Sequence, residues 1–464
     1  MTDSMLILRE FEQLEVTLPD SAYALLRDRY AGRLDITPTE RRGVYRLAAR
    51  DYVGRIALPG GTLLVIQPKV PVSNLFYMLC YHAGPVHFYT PPVTLAGTGD
   101  IFSIVIAALV EQVEGLLRQG LYRSYIPREQ DLPVVRGRIA LDAQLRRYGH
   151  LRHRHICRYA ELTTDTAENR VVAATLRCLP PLFESGGPEH LARRVRALLD
   201  RFEGVSITGR GAALAELRSV TTHRLNAAYG PVLALCRLVL SRLAPGEAPG
   251  PHAFASFLVN MPGLFEGFLT AKLRALLPSH GLRVVAQQND YLDTGRRVGI
   301  RPDVLVYRHT GGPPLLVLDA KYRRIEDATA GLNPDLYQLS AYLDRYGLTR
   351  GMLVYPGTHS NPESRAGNST APGHTDIRAY IHKDMPVSGD EGTKTSVGTG
   401  MYTELRLAGT NKRLYLAKLD LDAPGPAQLE RHCLTLAGQV AALALGSGSS
   451  LSMHSGHGAL TDDS

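Results

Sequence analysis

Two short segments place acids inside otherwise apolar runs: Arg301-Pro302-Asp303-Val304-Leu305-Val306 and Leu316-Val317-Leu318-Asp319-Ala320-Lys321. In a strand, side chains two apart share a face, so Asp319 and Lys321 point one way and Ala320 the other. The turn signal Gly311-Gly312-Pro313-Pro314 separates the segments. A hairpin closed through it brings Asp303 nearly opposite Asp319, and such cross-strand neighbours lie within roughly 5–8 Å. Two carboxylates and one ammonium then meet at one end of a sheet. That hard-oxygen pair suits Mg²⁺, or Mn²⁺ in its place, which binds through one or two carboxylates and keeps several waters. The metal lowers the pKa of a bound water and shields the charge of a phosphodiester. Lys321 is placed to orient the water and offset charge on the attacked phosphate, and the Ala320 carbonyl is a candidate further ligand. The competing reading is a hairpin whose polar residues face water. Against it, burying an unpartnered charge is costly, and only seven of the 52 basic residues are Lys, so Lys321 departs from the chain's preference for Arg.

Three more residues are candidates for support. Glu266, Leu269, Leu273 and Leu277 follow the spacing of one helical face, which puts a carboxylate on an apolar stripe. Such an acid either faces a cation or complements the helix dipole from the first turn. Gln338 and Tyr342 are four apart on a predicted helix, capped by Asn333-Pro334, beside the stripe Leu336, Leu339 and Leu343. They either hydrogen-bond a phosphate or a strand end, or are an exposed Gln and a half-buried Tyr.

These positions need a scaffold, and the pattern predicts a multidomain α+β chain. Residues 1–95 read as a β-rich domain, a small barrel or curled sheet, with runs such as Thr62-Leu63-Leu64-Val65-Ile66. Residues 96–250 read as a helical middle region, and the cluster from Pro245 to Pro251 marks the boundary. Residues 251–446 give a helix, strands near Val284-Val285, Gly299 to Tyr307 and Leu315 to Ala320, a helix from Pro334 to Tyr346 and a strand at Met352 to Tyr355. That order suggests an α/β nuclease-like core more than a doubly wound nucleotide-binding one. A polar insertion at 357–400 and a tail at 447–464 have disordered compositions.

At 464 residues, with 44% hydrophobic and 21% charged residues, the chain is neither fibrous nor globally disordered. Its longest apolar run, Ile101 to Val110, is about half the roughly 20 residues of a membrane span. No secretory signal opens the sequence, so the cytoplasm is the expected compartment. Five scattered cysteines argue against a disulfide framework, zinc site or iron–sulfur cluster. The formal charge of +8 favours an anionic partner such as nucleic acid. From Glu111 to Ala160 ten Arg stand against five acids, a stretch that either tracks phosphates or is a basic solvated face. No Gly-Lys dipeptide occurs, hence no phosphate loop, and no nucleotide is expected on this chain.

Together, Pro302-Asp303 and Asp319-Ala320-Lys321 resemble the signature of the PD-(D/E)xK nuclease superfamily, and Gln338 to Tyr342 resembles the Gln-xxx-Tyr feature of its RecB-like branch. Gly54-Arg55-Ile56-Ala57-Leu58-Pro59, Ile66-Gln67-Pro68-Lys69, Leu116 to Tyr125, Arg136-Gly137-Arg138-Ile139, Glu168-Asn169-Arg170 and Leu264-Phe265-Glu266 extend a likeness to the McrC family over most of the chain. The resemblance implies a restriction-endonuclease-like C-terminal domain and catalysis by Asp303, Asp319 and Lys321. It also implies a partnership with a McrB-like AAA+ GTPase hexamer, docked by the N-terminal part, and double-stranded, possibly methylated DNA as substrate. Asn260 stands where relatives are expected to carry an acid. Other readings are a RecB-like or Cas4-like repair nuclease, many of which carry a cysteine-ligated cluster, and a non-catalytic activator of an AAA+ GTPase.

Overall fold

The structure is a computed structural model and describes residues 5–59, 61–83, 100–148, 153–184, 188–221, 223–242, 256–323, 332–357 and 402–446. The Pro245 to Pro251 cluster, the insertion beyond Gly357 and the 447–464 tail lie outside these residues. The chain divides into two compact units, Met1–Leu264 and Phe265–Ser464, the division falling inside the helix Met261–Leu276.

In the first unit, the β-rich start forms two sheets. Val44–Ala49 lies between Gln13–Thr17 and Leu34–Pro38, antiparallel to both. Thr62–Gln67 pairs in parallel with Met5–Arg9 and antiparallel with Tyr52–Leu58. Leu26, Leu47, Ile56, Leu64 and Ile66 pack into one core. Tyr52–Leu58 also pairs with Ser256–Asn260, whose Leu258 stands opposite Gly54. The sequence pattern assigns that strand to a C-terminal domain starting at 251. Its backbone instead completes a sheet of the first unit.

Gly54 explains why its motif begins with glycine. Its φ is +133°, and a Cβ there would stand 2.0 Å from the Phe257 carbonyl oxygen. Arg55 is buried, with its guanidinium 2.5 Å from Asp100 Oδ2 and 4.2 Å from the Phe102 ring centroid. Asn169 likewise serves the fold: its Nδ2 donates to the carbonyls of Tyr122 and Thr164, and its Oδ1 accepts from the Tyr229 hydroxyl.

The helices expected in the middle region are present as Ile101–Gln119, Ala167–Arg177, Glu189–Asp200 and Tyr229–Arg242. Among them stands a ribbon that helical periodicity does not reveal, Ser124–Leu132 antiparallel to His155–Thr163. It changes the reading of the arginine-rich stretch. Arg128 pairs with Glu161, Arg154 with Asp131 and Arg158 with Glu129 at 3.2, 3.0 and 2.6 Å, so cross-strand acids offset much of its charge.

The second unit is built on a six-stranded sheet in the order Leu282–Ala286, Val304–Arg308, Leu316–Ala320, Arg350–Gly357, Arg413–Asp420, Tyr402–Arg406. The first two pairings and the last are antiparallel, and the central two are parallel. The central strands are buried on both faces, as their unbroken apolar runs require. Helix Leu332–Tyr346 makes the crossover between the parallel strands Leu316–Ala320 and Arg350–Gly357. It lays Leu336, Leu339, Tyr342 and Leu343 on Leu305, Val317, Leu353 and Tyr355. Gly351 permits that close approach, since a Cβ there would meet Leu339 at 3.0 Å and Leu343 at 3.2 Å. The single strand expected from Gly299 to Tyr307 is two, Gly299–Ile300 and Val304–Arg308. The break falls at Pro302, which has no N–H to give a ladder.

Gly54→Ala is expected to cost at least about 3 kcal/mol, combining a strained φ with a backbone collision. Gly32, at φ +79° with nothing within 4 Å of its would-be Cβ, should lose only about 1–2 kcal/mol on the same change. Thermal denaturation of the two variants compares them, and equal losses would remove the close-approach argument.

Candidate active site

The register of the Val304–Arg308 and Leu316–Ala320 strands pairs Val304 with Leu318, so Asp303 and Asp319 come next in line, across from each other. Asp303 stands just outside the ladder and is pinned twice: its Oδ2 accepts the Ala320 N–H at 2.7 Å, and its carbonyl accepts the Gln287 N–H at 3.0 Å. Lys321 continues the neighbouring pairing by donating its N–H to the Val354 carbonyl at 2.9 Å. Its ammonium turns back to within 2.7 Å of Asp319 Oδ2. The juxtaposition expected from the sequence is therefore present.

Burial dominates the electrostatics. It pushes the Asp303 carboxyl up to about 8, with the Asp319 charge adding to the shift. Asp319, 3% exposed, is also raised by burial, with Lys321 pulling the other way. For Lys321, burial works against the charge, but Asp319, Asp335 and Asp303 outweigh it and hold the ammonium protonated. Asp319 Oδ2 is buried, and the cation facing it is the Lys321 ammonium. With Asp335 and Glu266 adding to the upward push, acids outnumber the cations that face them, and a set so short of positive charge is one that a hard divalent cation fits. Among the described residues no three His, Cys, Asp or Glu side chains are placed to hold a metal. The candidate set is thus a carboxylate pair rather than a closed cage.

Gln338 and Tyr342 join the same cluster. The Lys321 ammonium donates to Gln338 Oε1 at 2.8 Å, and Gln338 Nε2 donates to the Tyr342 hydroxyl at 2.7 Å. The strand-end contact open from sequence is present, Gln338 is exposed as the plainer reading has it, and Tyr342 is buried at 3% exposure rather than half-buried. Glu266 is half-buried, accepts a hydrogen bond from Gln287 Nε2, and adds to the upward push on both aspartates.

Sequence reasoning misses Asp335, Tyr355, Arg323 and Gln287. Asp335 is buried, accepts from the Tyr355 hydroxyl at 2.9 Å, pairs with Arg323, and lies 3.8 Å from the Lys321 ammonium. Its signal is helical spacing: Asp335, Gln338 and Tyr342 are related by i, i+3 and i+7. Tyr355 carries no such signal, because only the strand pairing brings it near, and Arg323, two residues beyond Lys321, meets Asp335 only through the placement of the helix.

A family model described as McrBC 5-methylcytosine restriction system component matches residues 47–356, and the chain belongs to that family. The Type IV methyl-directed restriction enzyme EcoKMcrBC of Escherichia coli (strain K12) is 25% identical to it over 313 residues, 62% of this chain and 87% of that protein. In fold, the chain matches one from the refined half-complex of the tetradecameric assembly of Thermococcus gammatolerans McrB AAA+ hexamers with bound McrC. The TM-score is 0.58 at 16% identity, over 94% of this chain and 100% of that one. A chain of the Thermococcus gammatolerans McrBC complex gives a TM-score of 0.42 at 20% identity, over 58% of this chain and 87% of that one.

The Asp303 shift has a signed consequence. A carboxyl near 8 in the folded chain and about 3.9 in the unfolded one takes up a proton on folding. The resulting stabilisation is complete below about pH 4 and is lost as pH rises through about 8. In EDTA, Asp303→Asn should therefore gain in melting temperature relative to wild type as pH goes from 5 to 9. A difference that stays flat or narrows would contradict the assigned burial.

Proposed function

We propose that this chain is the DNA-cleaving subunit of a GTP-driven, modification-dependent restriction complex, with a PD-(D/E)xK nuclease core in its second unit. The observation that carries the reading is the convergence of Asp303, Asp319 and Lys321 at one strand end, with Gln338 bound to the lysine. Asp303 and Asp319 would hold Mg²⁺ or Mn²⁺, with the Ala320 carbonyl as a further candidate ligand, and Glu266, expected from sequence as a tentative ligand, would act from beside the pair. A bound metal would supply an activated water and polarisation of the scissile phosphate.

The chain's own groups do the rest. Lys321 keeps its proton because three acids face it, so it can donate hydrogen bonds to the attacking water or to a phosphate oxygen but cannot act as a base. Gln338 accepts one of its three N–H groups. Asp319 draws the ammonium over the pair, and Tyr342 fixes the Gln338 amide through its hydroxyl. Donors held this way need no reorganisation when charge builds on the phosphate.

This sequence has no phosphate loop, so the reading assigns the motor to a partner. Family membership and the likeness to a McrB–McrC assembly support a McrB-like AAA+ GTPase hexamer as the partner, docked and stimulated by the first unit. Cleavage of methylated and unmethylated plasmid, with and without the partner GTPase, GTP and Mg²⁺, tests the proposal. Cutting is expected only with all components and with neither Asp303→Ala nor Asp319→Ala. Robust nucleotide-independent cutting of unmodified plasmid by this chain alone would instead support the repair-nuclease reading.

Lys321→Arg should lower the cleavage rate by about 10²–10³, the usual effect of removing one transition-state donor, because a planar guanidinium cannot replace a point ammonium beside Gln338. Stimulation of the partner's GTPase should persist in this variant. Near-normal cutting would take Lys321 out of the chemistry.

A further inference from the structure

Between Gln287 and Asp303 the chain leaves the sheet and returns, and both roots of this excursion lie at the acidic cluster. Gln287 donates its N–H to the Asp303 carbonyl and its side-chain amide to Glu266. The excursion is a built finger. Asp290–Tyr291 pairs with Gly299–Ile300, and Leu292 donates to the Val298 carbonyl at 2.9 Å. At the tip, Asp293 accepts the N–H groups of Arg297 and Val298, both at 2.8 Å. At the base, Arg345 of the helix Leu332–Tyr346 bonds Asp290 Oδ1 at 2.8 Å and the Tyr291 carbonyl at 2.7 Å.

This construction sorts the charges. The finger's two acids are engaged, Asp290 by Arg345 and Asp293 chiefly by the turn it closes. Arg296, Arg297 and Arg301 are exposed. The Arg297 side chain is 87% exposed, with only a 3.6 Å contact to Asp293. Among the described residues Arg296 and Arg301 form no ion pair. A cation-presenting element is thus rooted beside a cluster whose carboxylates would repel a polyanion.

We propose that this finger grips the phosphate backbone of duplex DNA and holds the strand over Asp303 and Asp319. The inference rests on the nuclease reading for its substrate. Guanidinium–phosphate contacts carry no base information, so the grip is indifferent to sequence and methylation.

Duplex binding by the full chain is measured by fluorescence anisotropy in EDTA, where the proposed cutting cannot run. Wild type is compared with Arg296→Gln/Arg297→Gln and with Arg41→Gln/Arg42→Gln, an exposed arginine pair of the first unit. The finger variant should flatten the slope of log affinity against log salt by about 2 and weaken binding at least about tenfold at 50 mM salt, equally on methylated and unmethylated duplex. The control pair should change neither. An unchanged slope, an equal effect of the control pair, or no duplex binding by wild type overturns the inference, the first being expected if the finger docks a protein. Failure of the wild-type complex to cut in Mg²⁺ would sink the nuclease reading while leaving a binding difference standing.

Discussion

Asp303 and Asp319 are held across from each other at the end of two antiparallel strands, where burial opposes the ionisation of both and neighbouring acids add to it. Burying ionisable groups at close quarters costs stability unless they are paired or stay neutral. Net domain stability is only about 5–15 kcal/mol. A second unit carrying such a pair needs a rigid apolar frame, and the doubly buried strands Val304–Arg308, Leu316–Ala320 and Arg350–Gly357 provide it. The Ala320 N–H to Asp303 bond ties the two strand ends together, so the acids cannot relax apart without breaking a backbone contact.

The same constraint accounts for the surrounding layer. Asp303, Asp319, Asp335 and Glu266 stand against Lys321 and Arg323, four acids to two cations. Lys321 is shared by Asp319, Asp335 and Gln338, which fixes a side chain that would otherwise keep about 2 kcal/mol of rotamer freedom. Asp335 in turn is held by Tyr355 from the neighbouring parallel strand and by Arg323. The crossover helix therefore positions the chemistry and fills the core with the same turns: Leu336, Leu339 and Leu343 pack down while Asp335, Gln338 and Tyr342 reach the strand end.

The central trio was legible in the sequence because alternation along a strand and pairing across a hairpin are local rules, and both acids interrupt apolar runs. Gln338 and Tyr342 were legible as a helical pair, but their attachment to Lys321 depends on how the helix sits on the sheet. Tyr355 was not legible, since parallel pairing between Leu316–Ala320 and Arg350–Gly357 is a long-range event, and the pairing of Arg323 with Asp335 depends on how the helix Leu332–Tyr346 is placed. In the first unit, the ribbon Ser124–Leu132 with His155–Thr163 was hidden by its polarity: alternating half-exposed faces lack the apolar contrast that marks a strand. The proline- and glycine-rich segment before Ser256–Asn260 signals a break in local structure, whereas the strand's pairing with Tyr52–Leu58 is a long-range contact that no local pattern reveals.

If the aspartate pair is a protonated, cation-deficient site, metal binding must displace protons. Calorimetric titration of Mn²⁺ into the chain at pH 7, repeated in buffers of different ionisation enthalpy, counts them. With Asp303 near 8, binding should release close to one proton per metal ion, and Asp319→Asn should abolish binding. Mn²⁺ binding with no proton release, or binding unaffected by Asp319→Asn, would contradict the account.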